Sequence, residues 1–184
     1  MDMDKVVFLD RDGTISRDSP DHIKSWDELH FLPNAKQGIK LLNDNGFNII
    51  IITNQSVIAR GMVTKEGLDF IHKNMIAELE EYGCKIHKIY YCPHHPDDGC
   101  NCRKPNPGLL LKAAQENDVD ISQSYMVGDR MMDVEVGKAV ECKTILIPSE
   151  LGLQELKNSM IKPDYIAKDL LDASKWIIND YRGY

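Results

Sequence analysis

The chain has 184 residues, of which 42% are hydrophobic and 28% charged, and its formal net charge is −7. This length suffices for one well-buried core and is short for two full domains, so we expect one domain over residues 1–184. The acidic balance argues against general nucleic-acid binding, which needs a basic surface. The first residues lack the basic start and long apolar run of a signal peptide, and no stretch approaches membrane-spanning length. We therefore expect a cytoplasmic protein that binds neither nucleic acid nor membrane.

Apolar runs typical of strands alternate with amphipathic, helix-like segments along the chain. The predicted strands are 6–9, 47–52, 86–91, 125–127, 144–147 and 165–167. The predicted helices are 34–45, 64–82, 108–117, 131–140 and 170–180. This alternation predicts an α/β fold in which helices cover a mostly parallel sheet.

The first predicted strand ends at two closely spaced carboxylates, Asp10 and Asp12, which Gly13 follows. In open α/β sheets, ligands bind beyond the carboxyl ends of the strands. Two acids this close need a partner such as a cation, and they suit a nucleophile beside a group that transfers protons. The alternative is a strand-ending turn in which Asp-Gly supplies only turn chemistry.

Polar side chains follow three further strand ends: Thr53-Asn54-Gln55-Ser56, Arg103-Lys104, and Asp129 with Asp133. Hydroxyl and amide groups can hold phosphate oxygens, although a helix cap would need the same residue types. The two acids share one helix face if the helix starts at Asp129, although acids at a helix start also complement its dipole. Together, the four strand ends favour an active site over these separate structural explanations.

The residues at these strand ends resemble the motifs of the haloacid dehalogenase superfamily of phosphohydrolases. The matching residues are Asp10-Arg11-Asp12-Gly13-Thr14, Thr53-Asn54, Lys104, and Gly128-Asp129 with Asp133. The resemblance spans residues 6 to about 171 and implies a Rossmann-like three-layer sandwich. It implies that Asp10 attacks phosphorus to give an aspartyl-phosphate. It also implies that Asp12 protonates the leaving alkoxide and then activates water.

The same resemblance implies a catalytic Mg²⁺ held by the Asp10 carboxylate, the backbone carbonyl of Asp12, and Asp129. Thr53 and Lys104 would stabilise the transferring phosphoryl group. Asp133 would lie outside the ligand set and orient Lys104 or a water on the metal.

A second metal site is indicated by Cys92-Pro93-His94-His95 and Cys100-Asn101-Cys102. In extended backbone, residues i and i+2 point to the same side, so Cys92 pairs with His94 and Cys100 with Cys102. Three thiolates and one imidazole form a closed tetrahedral site, which suits structural Zn²⁺. His95 should point away, and unpaired surface thiols are the alternative. Since Arg103 and Lys104 follow at once, we expect this zinc-binding loop, residues 92–102, to lie near the active site and to position both cations.

Within the superfamily, the chain most resembles the D-glycero-D-manno-heptose 1,7-bisphosphate 7-phosphatases, through residues 53–61, 90–96 and 100–108. This implies the absence of a large cap domain and a small sugar phosphate as substrate. The implied contacts to sugar and phosphate are Asp18, Ser19, Pro20, Asp21, Thr53, Asn54, Gln55, Ser56 and Lys104, with Arg103 and Arg130 on the second phosphate. Val57 departs from the family's usual glycine, and the stretch between His95 and Cys100 is short.

Three other functions fit parts of the sequence. A histidinol-phosphate phosphatase shares the nucleophile motif and a similar zinc loop, and another small phosphomonoester phosphatase differs in only a few loop residues. A zinc-stabilised binding protein without activity would be expected to have lost at least one of Asp10, Asp12, Lys104 and Asp129. The chain has no long amphipathic surface segment that demands a partner, so we expect a monomer.

Overall fold

The computed structural model of the protein describes residues 5–183. Its strands are β1 (Val6–Leu9), β2 (Asn48–Asn54), β3 (Lys88–Cys92), β4 (Tyr125–Gly128), β5 (Lys143–Leu146) and β6 (Tyr165–Ile166). Its α-helices are α1 (Ala35–Asp44), α2 (Lys65–Glu81), α3 (Gly108–Asn117), α4 (Met131–Ala139), α5 (Glu150–Asn158) and α6 (Leu170–Arg182). Short 3₁₀ turns lie at Trp26–Glu28, Pro96–Asp98 and Ile121–Gln123.

The strands form one sheet in the order β3-β2-β1-β4-β5-β6, and each neighbouring pair is parallel. Helices cover both faces of the sheet and so give three layers. Val7 and Leu9 of β1 face the core under α1, α2 and α6, whereas Val6 and Phe8 face the core under α3 and α4. The predicted α/β fold with a parallel, helix-covered sheet is confirmed.

Within residues 5–183, the strands are joined only by helices, loops and the short 3₁₀ turns, with no large cap domain inserted. None of the helices in this part of the chain is both long and apolar enough to cross a membrane.

The structure differs from the sequence prediction at two places near the carboxyl edge of the sheet. Strand β2 runs two residues further than predicted, so Thr53 and Asn54 are its last residues. Helix α4 begins at Met131 as predicted, with Arg130 in extended backbone as its cap, so Asp129 lies before the helix and does not share a helix face with Asp133. Helix α5 was not predicted at all, and it packs against the backbone of Asp129.

Candidate active site

The sequence-predicted strand-end residues meet at the carboxyl edge of the sheet. The strand order reverses between β1 and β4, which is the switch point where open α/β sheets bind ligands. Asp10 directly follows β1, and its backbone N–H donates to the Val127 carbonyl of β4 at 2.9 Å. Asp129 directly follows β4. The strand pairing therefore brings the two carboxylates, 119 positions apart in the chain (129 − 10), to one point.

Lys104 is the buried cation of the site and is only 2% exposed. Its Nζ contacts Asp10 Oδ1 at 2.9 Å and Asp133 Oδ1 at 2.6 Å, and donates to the Ile52 carbonyl at 2.9 Å. Burial acts to lower the pKa of Lys104, but the two carboxylates outweigh it and raise that pKa above its ordinary value. Lys104 is therefore a fixed positive charge beside the proposed nucleophile.

Three carboxylates crowd around this lysine. Single oxygens of Asp10, Asp129 and Asp133 all lie within 4.8 Å of one another. Burial and repulsion from the neighbouring acids raise the pKa of Asp10 to about 8, although Lys104 opposes the shift. Burial and the charge of Asp133 raise the pKa of Asp129 to about 6. Lys104 alone does not offset this negative charge, and the excess is what a divalent cation would neutralise.

The hydrogen bonds distinguish Asp129 from Asp133. Asp129 Oδ2 is buried and has no hydrogen-bond partner among residues 5–183. Asp133 accepts from Lys104 Nζ and, at 3.1 Å, from the backbone N–H of Arg130. Oxygen donors suit Mg²⁺, and an unpaired buried carboxylate oxygen is the group that a metal would satisfy. The residues thus fit a magnesium ion bound by Asp10 and Asp129, with Asp133 holding Lys104.

Gly13 makes the close approach of Asp129 possible. Its φ is +85°, a conformation that disfavours residues with a side chain, and an added Cβ would lie 2.4 Å from the Asp129 carboxylate. The Asp-Gly pair therefore has a role in the site beyond turn chemistry.

Asp12 differs from Asp10 in having four hydrogen bonds. Oδ1 accepts from Arg11 Nε at 2.9 Å and from Ser16 Oγ at 3.1 Å. Oδ2 accepts from Arg11 Nη2 at 2.8 Å and from Gln55 Nε2 at 2.9 Å. Burial acts to raise the pKa of Asp12, but the Arg11 guanidinium and these bonds outweigh it and lower that pKa. Asp12 is held here as a carboxylate, which is the form that accepts a proton.

Arg11 and His72 form a buried network behind Asp12. Arg11 is 0% exposed, and its Nη1 lies 3.0 Å from His72 Nε2. Since arginine only donates, this nitrogen of His72 must accept, and the imidazole is neutral. Burial and the Arg11 charge lower the pKa of His72 to about 3, in agreement. The sequence did not indicate His72, because no local pattern relates residues 61 positions apart.

The hydroxyl of Thr53 and the amides of the next two residues are already oriented. Thr53 Oγ1 accepts from Gln55 Nε2 at 2.9 Å, which leaves its own proton for a ligand oxygen. Asn54 donates from Nδ2 to the Lys104 carbonyl at 3.2 Å and accepts the Lys104 N–H at 3.1 Å. Gln55 bonds Asp12 and Arg11 as well as Thr53. Contacts of Asn54 and Gln55 with a substrate would require these partners to be exchanged.

Ser56 and Val57 begin the loop that connects β2 to α2. Ser56 is buried, and its Oγ accepts from Arg60 Nε at 3.3 Å. Val57 is also buried, in a small cluster with Val63 and Leu68. The departure from glycine at position 57 is thus accommodated by apolar packing.

A cavity of ≈480 Å³ adjoins the carboxylates, a size within the range of about 300–1,000 Å³ usual for ligand sites. Gly13, Asp18 and Ser149 line it, together with the cations Arg17 and Lys168. In the predicted sugar-contacting segment, Asp18, Pro20 and Asp21 are exposed and Ser19 is half-buried. The charge of Asp18 contributes to the raised pKa of Asp129.

Arg130 projects from the cap of α4 and forms an ion pair with Glu155 of α5. Its Nε lies 3.0 Å from both carboxylate oxygens of Glu155, and its Nη2 also donates to Oε1. The hydrogen bonds from Arg130 lower the pKa of Glu155. Glu155 was missed because α5 was missed; the signals were Ser149-Glu150 at its start and Lys157 in its last turn.

The cysteine and histidine cluster forms a second site. His94 Nδ1 lies 3.1 Å from Cys102 Sγ, and Cys92 Sγ lies 3.1 Å from Cys102 Sγ and 3.6 Å from Cys100 Sγ. All four ligand atoms lie within 4.8 Å of one another, so the cluster can hold a metal ion. Tetrahedral zinc with a Zn–S bond of about 2.3 Å would separate two sulfurs by about 3.8 Å. The sulfur of Cys100 lies 3.6 Å from those of Cys92 and Cys102, near this value, whereas Cys92 and Cys102 lie closer together.

The loop that carries this cluster is tied to the carboxylate site. The Cys92 carbonyl accepts the Gln55 N–H at 2.7 Å, and Arg103 Nη1 donates to the His94 carbonyl at 3.5 Å. His95 stands apart from the cluster, and its Nδ1 accepts the Asp97 N–H at 3.3 Å. The cluster is therefore continuous with the segment that carries Arg103.

Comparisons with known proteins agree on one family. The HAD-hydrolase-like family matches residues 101–173. The D-glycero-beta-D-manno-heptose-1,7-bisphosphate 7-phosphatase of Pseudomonas aeruginosa is 38% identical over 165 residues, which cover 90% of this chain and 93% of the relative. The enzyme of the same name from Yersinia pestis is 34% identical over 184 aligned positions, which cover 96% and 97%.

A solved structure supports the same family. The crystal structure of D,D-heptose 1,7-bisphosphate phosphatase from Bordetella bronchiseptica, complexed with magnesium and phosphate, has a TM-score of 0.90 to this chain. The two are 33% identical, and the match covers 96% of this chain and 99% of that one. The fold is that of a haloacid dehalogenase-type hydrolase. Within that class, the chain belongs to the family of the D-glycero-D-manno-heptose-1,7-bisphosphate 7-phosphatases.

Proposed function

We propose that this single-domain protein is a magnesium-dependent phosphatase that removes one phosphate from a sugar bisphosphate. The observation that carries the proposal is the meeting of Asp10, Lys104 and Asp129 at the switch point, where Asp129 Oδ2 is buried without a partner. Asp10 and Asp129, with the backbone carbonyl of Asp12, would hold the Mg²⁺. When bound, Mg²⁺ would neutralise charge on the carboxylates and the phosphoryl oxygens.

In the first step, an Asp10 oxygen attacks phosphorus, and the bond from phosphorus to the ester oxygen breaks. Lys104 and the free proton of the Thr53 hydroxyl stabilise the charge on the phosphoryl oxygens. Asp12, having taken up a proton, gives it to the leaving alkoxide. The products of this half-reaction are the free sugar hydroxyl and an aspartyl-phosphate at Asp10.

In the second step, Asp12 is again the carboxylate that its four hydrogen bonds favour. It accepts a proton from water as the water oxygen attacks phosphorus, and the bond from phosphorus to Asp10 breaks. This releases inorganic phosphate and restores the Asp10 carboxylate. One residue thus serves as acid and then as base.

The proposed substrate is D-glycero-D-manno-heptose 1,7-bisphosphate, cleaved to the 1-phosphate. Two observations support this substrate. Relatives that carry this name align with 90% and 96% of this chain. The cations Arg103 and Arg130 lie near the carboxylate site. Histidinol phosphate, a substrate of the alternative phosphatase, has no second phosphate for these cations. We propose that the second metal is structural Zn²⁺, that it keeps Arg103 in place, and that the protein acts as a cytoplasmic monomer.

A phosphate-release screen with Mg²⁺ present tests this function. The substrates are sugar bisphosphates, matching monophosphates, histidinol phosphate and p-nitrophenyl phosphate. We expect the highest kcat/KM with the heptose bisphosphate. A preference for histidinol phosphate would select the alternative phosphatase. The absence of release from every ester, with bound metal demonstrated, would select a binding protein without activity.

A further inference from the structure

We propose that Glu155 is a positioning residue that fixes the guanidinium of Arg130 for binding the distal phosphate of a bisphosphorylated substrate. This inference rests on the proposed function. Its basis is the bidentate ion pair between Arg130 at the cap of α4 and Glu155 in the middle of α5. Both side chains are about one quarter exposed, so the pair is shielded and yet reachable from solvent.

The geometry leaves the phosphate-binding edge of Arg130 free. A guanidinium has five N–H donors, and Glu155 takes the one on Nε and one on Nη2. The other three, two on Nη1 and one on Nη2, form a fork that matches two oxygens of a phosphate. Within residues 5–183, the structure records no acceptor for Nη1.

Glu155 is itself fixed, so it can act as a support. Its Oε2 accepts the backbone N–H of Met131 in the first turn of α4 at 3.0 Å. The start of α5 is also anchored, because Ser149 Oγ bonds both the Gly152 N–H and the Asp129 carbonyl. Helix α5 and its cap are therefore connected to the backbone of the carboxylate site at two points, through Glu155 and through Ser149.

The two cations next in line to bind the distal phosphate differ from Arg130. Arg103 is held less firmly, by one long bond of 3.5 Å to a backbone carbonyl, and Lys104 is fixed but engaged by Asp10 and Asp133. Arg130 is thus held in place before substrate arrives and still has free donors. Fixing one long side chain in advance avoids an ordering cost that would weaken binding by about 3–10-fold.

A double-mutant cycle tests the inference with four proteins: wild type, Glu155→Ala, Arg130→Ala and the double variant. Each is assayed with heptose 1,7-bisphosphate and with the matching 7-phosphate. We expect Glu155→Ala to raise KM for the bisphosphate about 3–10-fold, with kcat within about twofold and with no change of KM for the monophosphate. In the Arg130→Ala background, the same substitution should have no further effect on KM.

Two further variants separate positioning from charge and folding. Glu155→Gln keeps one acceptor oxygen and should raise KM less than Glu155→Ala. Glu150→Gln removes one negative charge from the exposed first turn of the same helix and should leave KM unchanged. Since KM does not depend on the folded fraction, partial loss of folded protein does not obscure these results.

The outcomes distinguish this inference from the proposed function. Two results would overturn the inference. A lower KM in both Glu155 variants would show that Glu155 competes with substrate for Arg130. An unchanged KM in both variants would show that Glu155 does not position Arg130. Hydrolysis of the bisphosphate with a KM that Arg130→Ala does not change would overturn both the inference and the proposed role of Arg130. The phosphatase activity itself would stand in each case.

Discussion

Asp10 and Asp12 are the same residue type two positions apart, but their surroundings give them opposite tendencies. Burial among other acids raises the pKa of Asp10 to about 8, whereas Arg11 and the hydrogen bonds from Gln55 and Ser16 outweigh burial and lower the pKa of Asp12. Asp10 therefore needs added positive charge to be a carboxylate nucleophile. Asp12 needs a proton before it can act as an acid. The two proposed roles agree with the contacts of each residue.

The acid role of Asp12 predicts a dependence on the leaving group. Asp12→Asn should lower kcat/KM for the sugar ester by about 10²–10⁴-fold, because an alkoxide leaves poorly without a proton. With p-nitrophenyl phosphate the loss should be much smaller, since nitrophenolate needs no proton. The ratio of the two kcat/KM values does not depend on the folded fraction. Equal losses with both esters would contradict an acid role for Asp12.

For Asn54 and Gln55, the location could be predicted from the sequence but the hydrogen-bond partners could not. Their position at a strand end was readable in the sequence, and they do lie at the site. Their amides, however, bond the backbone of Lys104 and the carboxylate of Asp12, which are far away in the chain. These contacts could not be predicted from the sequence, because they depend on how the ends of neighbouring strands align in the fold.

At the scale of elements, the strands were predictable from short continuous apolar runs, and five helices from apolar residues at helical spacing. Helix α5 was missed although Ser149 caps it and Leu153 and Leu156 recur at helical spacing. In the structure, Gly152 packs against the Asp129 backbone and Glu155 pairs with Arg130. These contacts join parts of the chain that are distant in sequence, so the local pattern did not reveal them.

The packing of α5 predicts the effect of Gly152→Ala. An added Cβ would lie 2.0 Å from the Asp129 carbonyl oxygen, so α5 or the Asp129 backbone must move. We expect a destabilisation of about 1–3 kcal/mol, measured by urea unfolding, and a loss of Mg²⁺ affinity. Gly61→Ala is the control, because a Cβ there has no atom within 4 Å, although its positive φ adds strain. Unchanged stability and metal affinity in Gly152→Ala would contradict the packing.

If the cysteine and histidine cluster binds zinc as proposed, loss of the metal should be accompanied by loss of activity. Cys102→Ser removes a thiolate that lies 3.1 Å from both Cys92 Sγ and His94 Nδ1, so zinc content should fall below one per chain. Activity on the sugar bisphosphate should fall with it, because Arg103 follows Cys102 directly. Cys142→Ala removes a buried thiol outside the cluster and should keep both. Full activity in a zinc-free Cys102→Ser protein would contradict the role of the loop.

For the whole molecule, the carboxylate cluster links stability to pH. The raised pKa values of Asp10, about 8, and Asp129, about 6, mean that the metal-free folded state binds protons more tightly than the unfolded chain. The contribution of these two carboxyl groups to the stability of the metal-free protein should therefore fall as pH rises from about 4 to 8, the interval between the ordinary and raised pKa values. This is the reverse of the usual behaviour of acids that are paired in the folded state.

Magnesium should compete with those protons, so its stabilising effect should grow with pH. Thermal unfolding with and without Mg²⁺, at pH 6 and pH 8, measures the difference. With Mg²⁺ at about a hundred times its dissociation constant at pH 8, the free energy of unfolding should rise by about 2.7 kcal/mol at pH 8. At the same Mg²⁺ concentration it should rise by less at pH 6. The Asp129→Asn variant should lose most of the shift. A shift of the same size at both pH values would contradict the coupling between protons and metal at this site.

The central claim is that Asp10 forms a covalent bond to phosphorus. Acid quenching during the first turnover with ³²P-labelled bisphosphate should trap a phosphoenzyme that hydroxylamine cleaves, as expected of an acyl phosphate. Borohydride reduction followed by mass spectrometry should place the modification on residue 10, and Asp10→Asn should give neither label nor turnover. Label on a different residue, or turnover by Asp10→Asn at the wild-type rate, would contradict the claim.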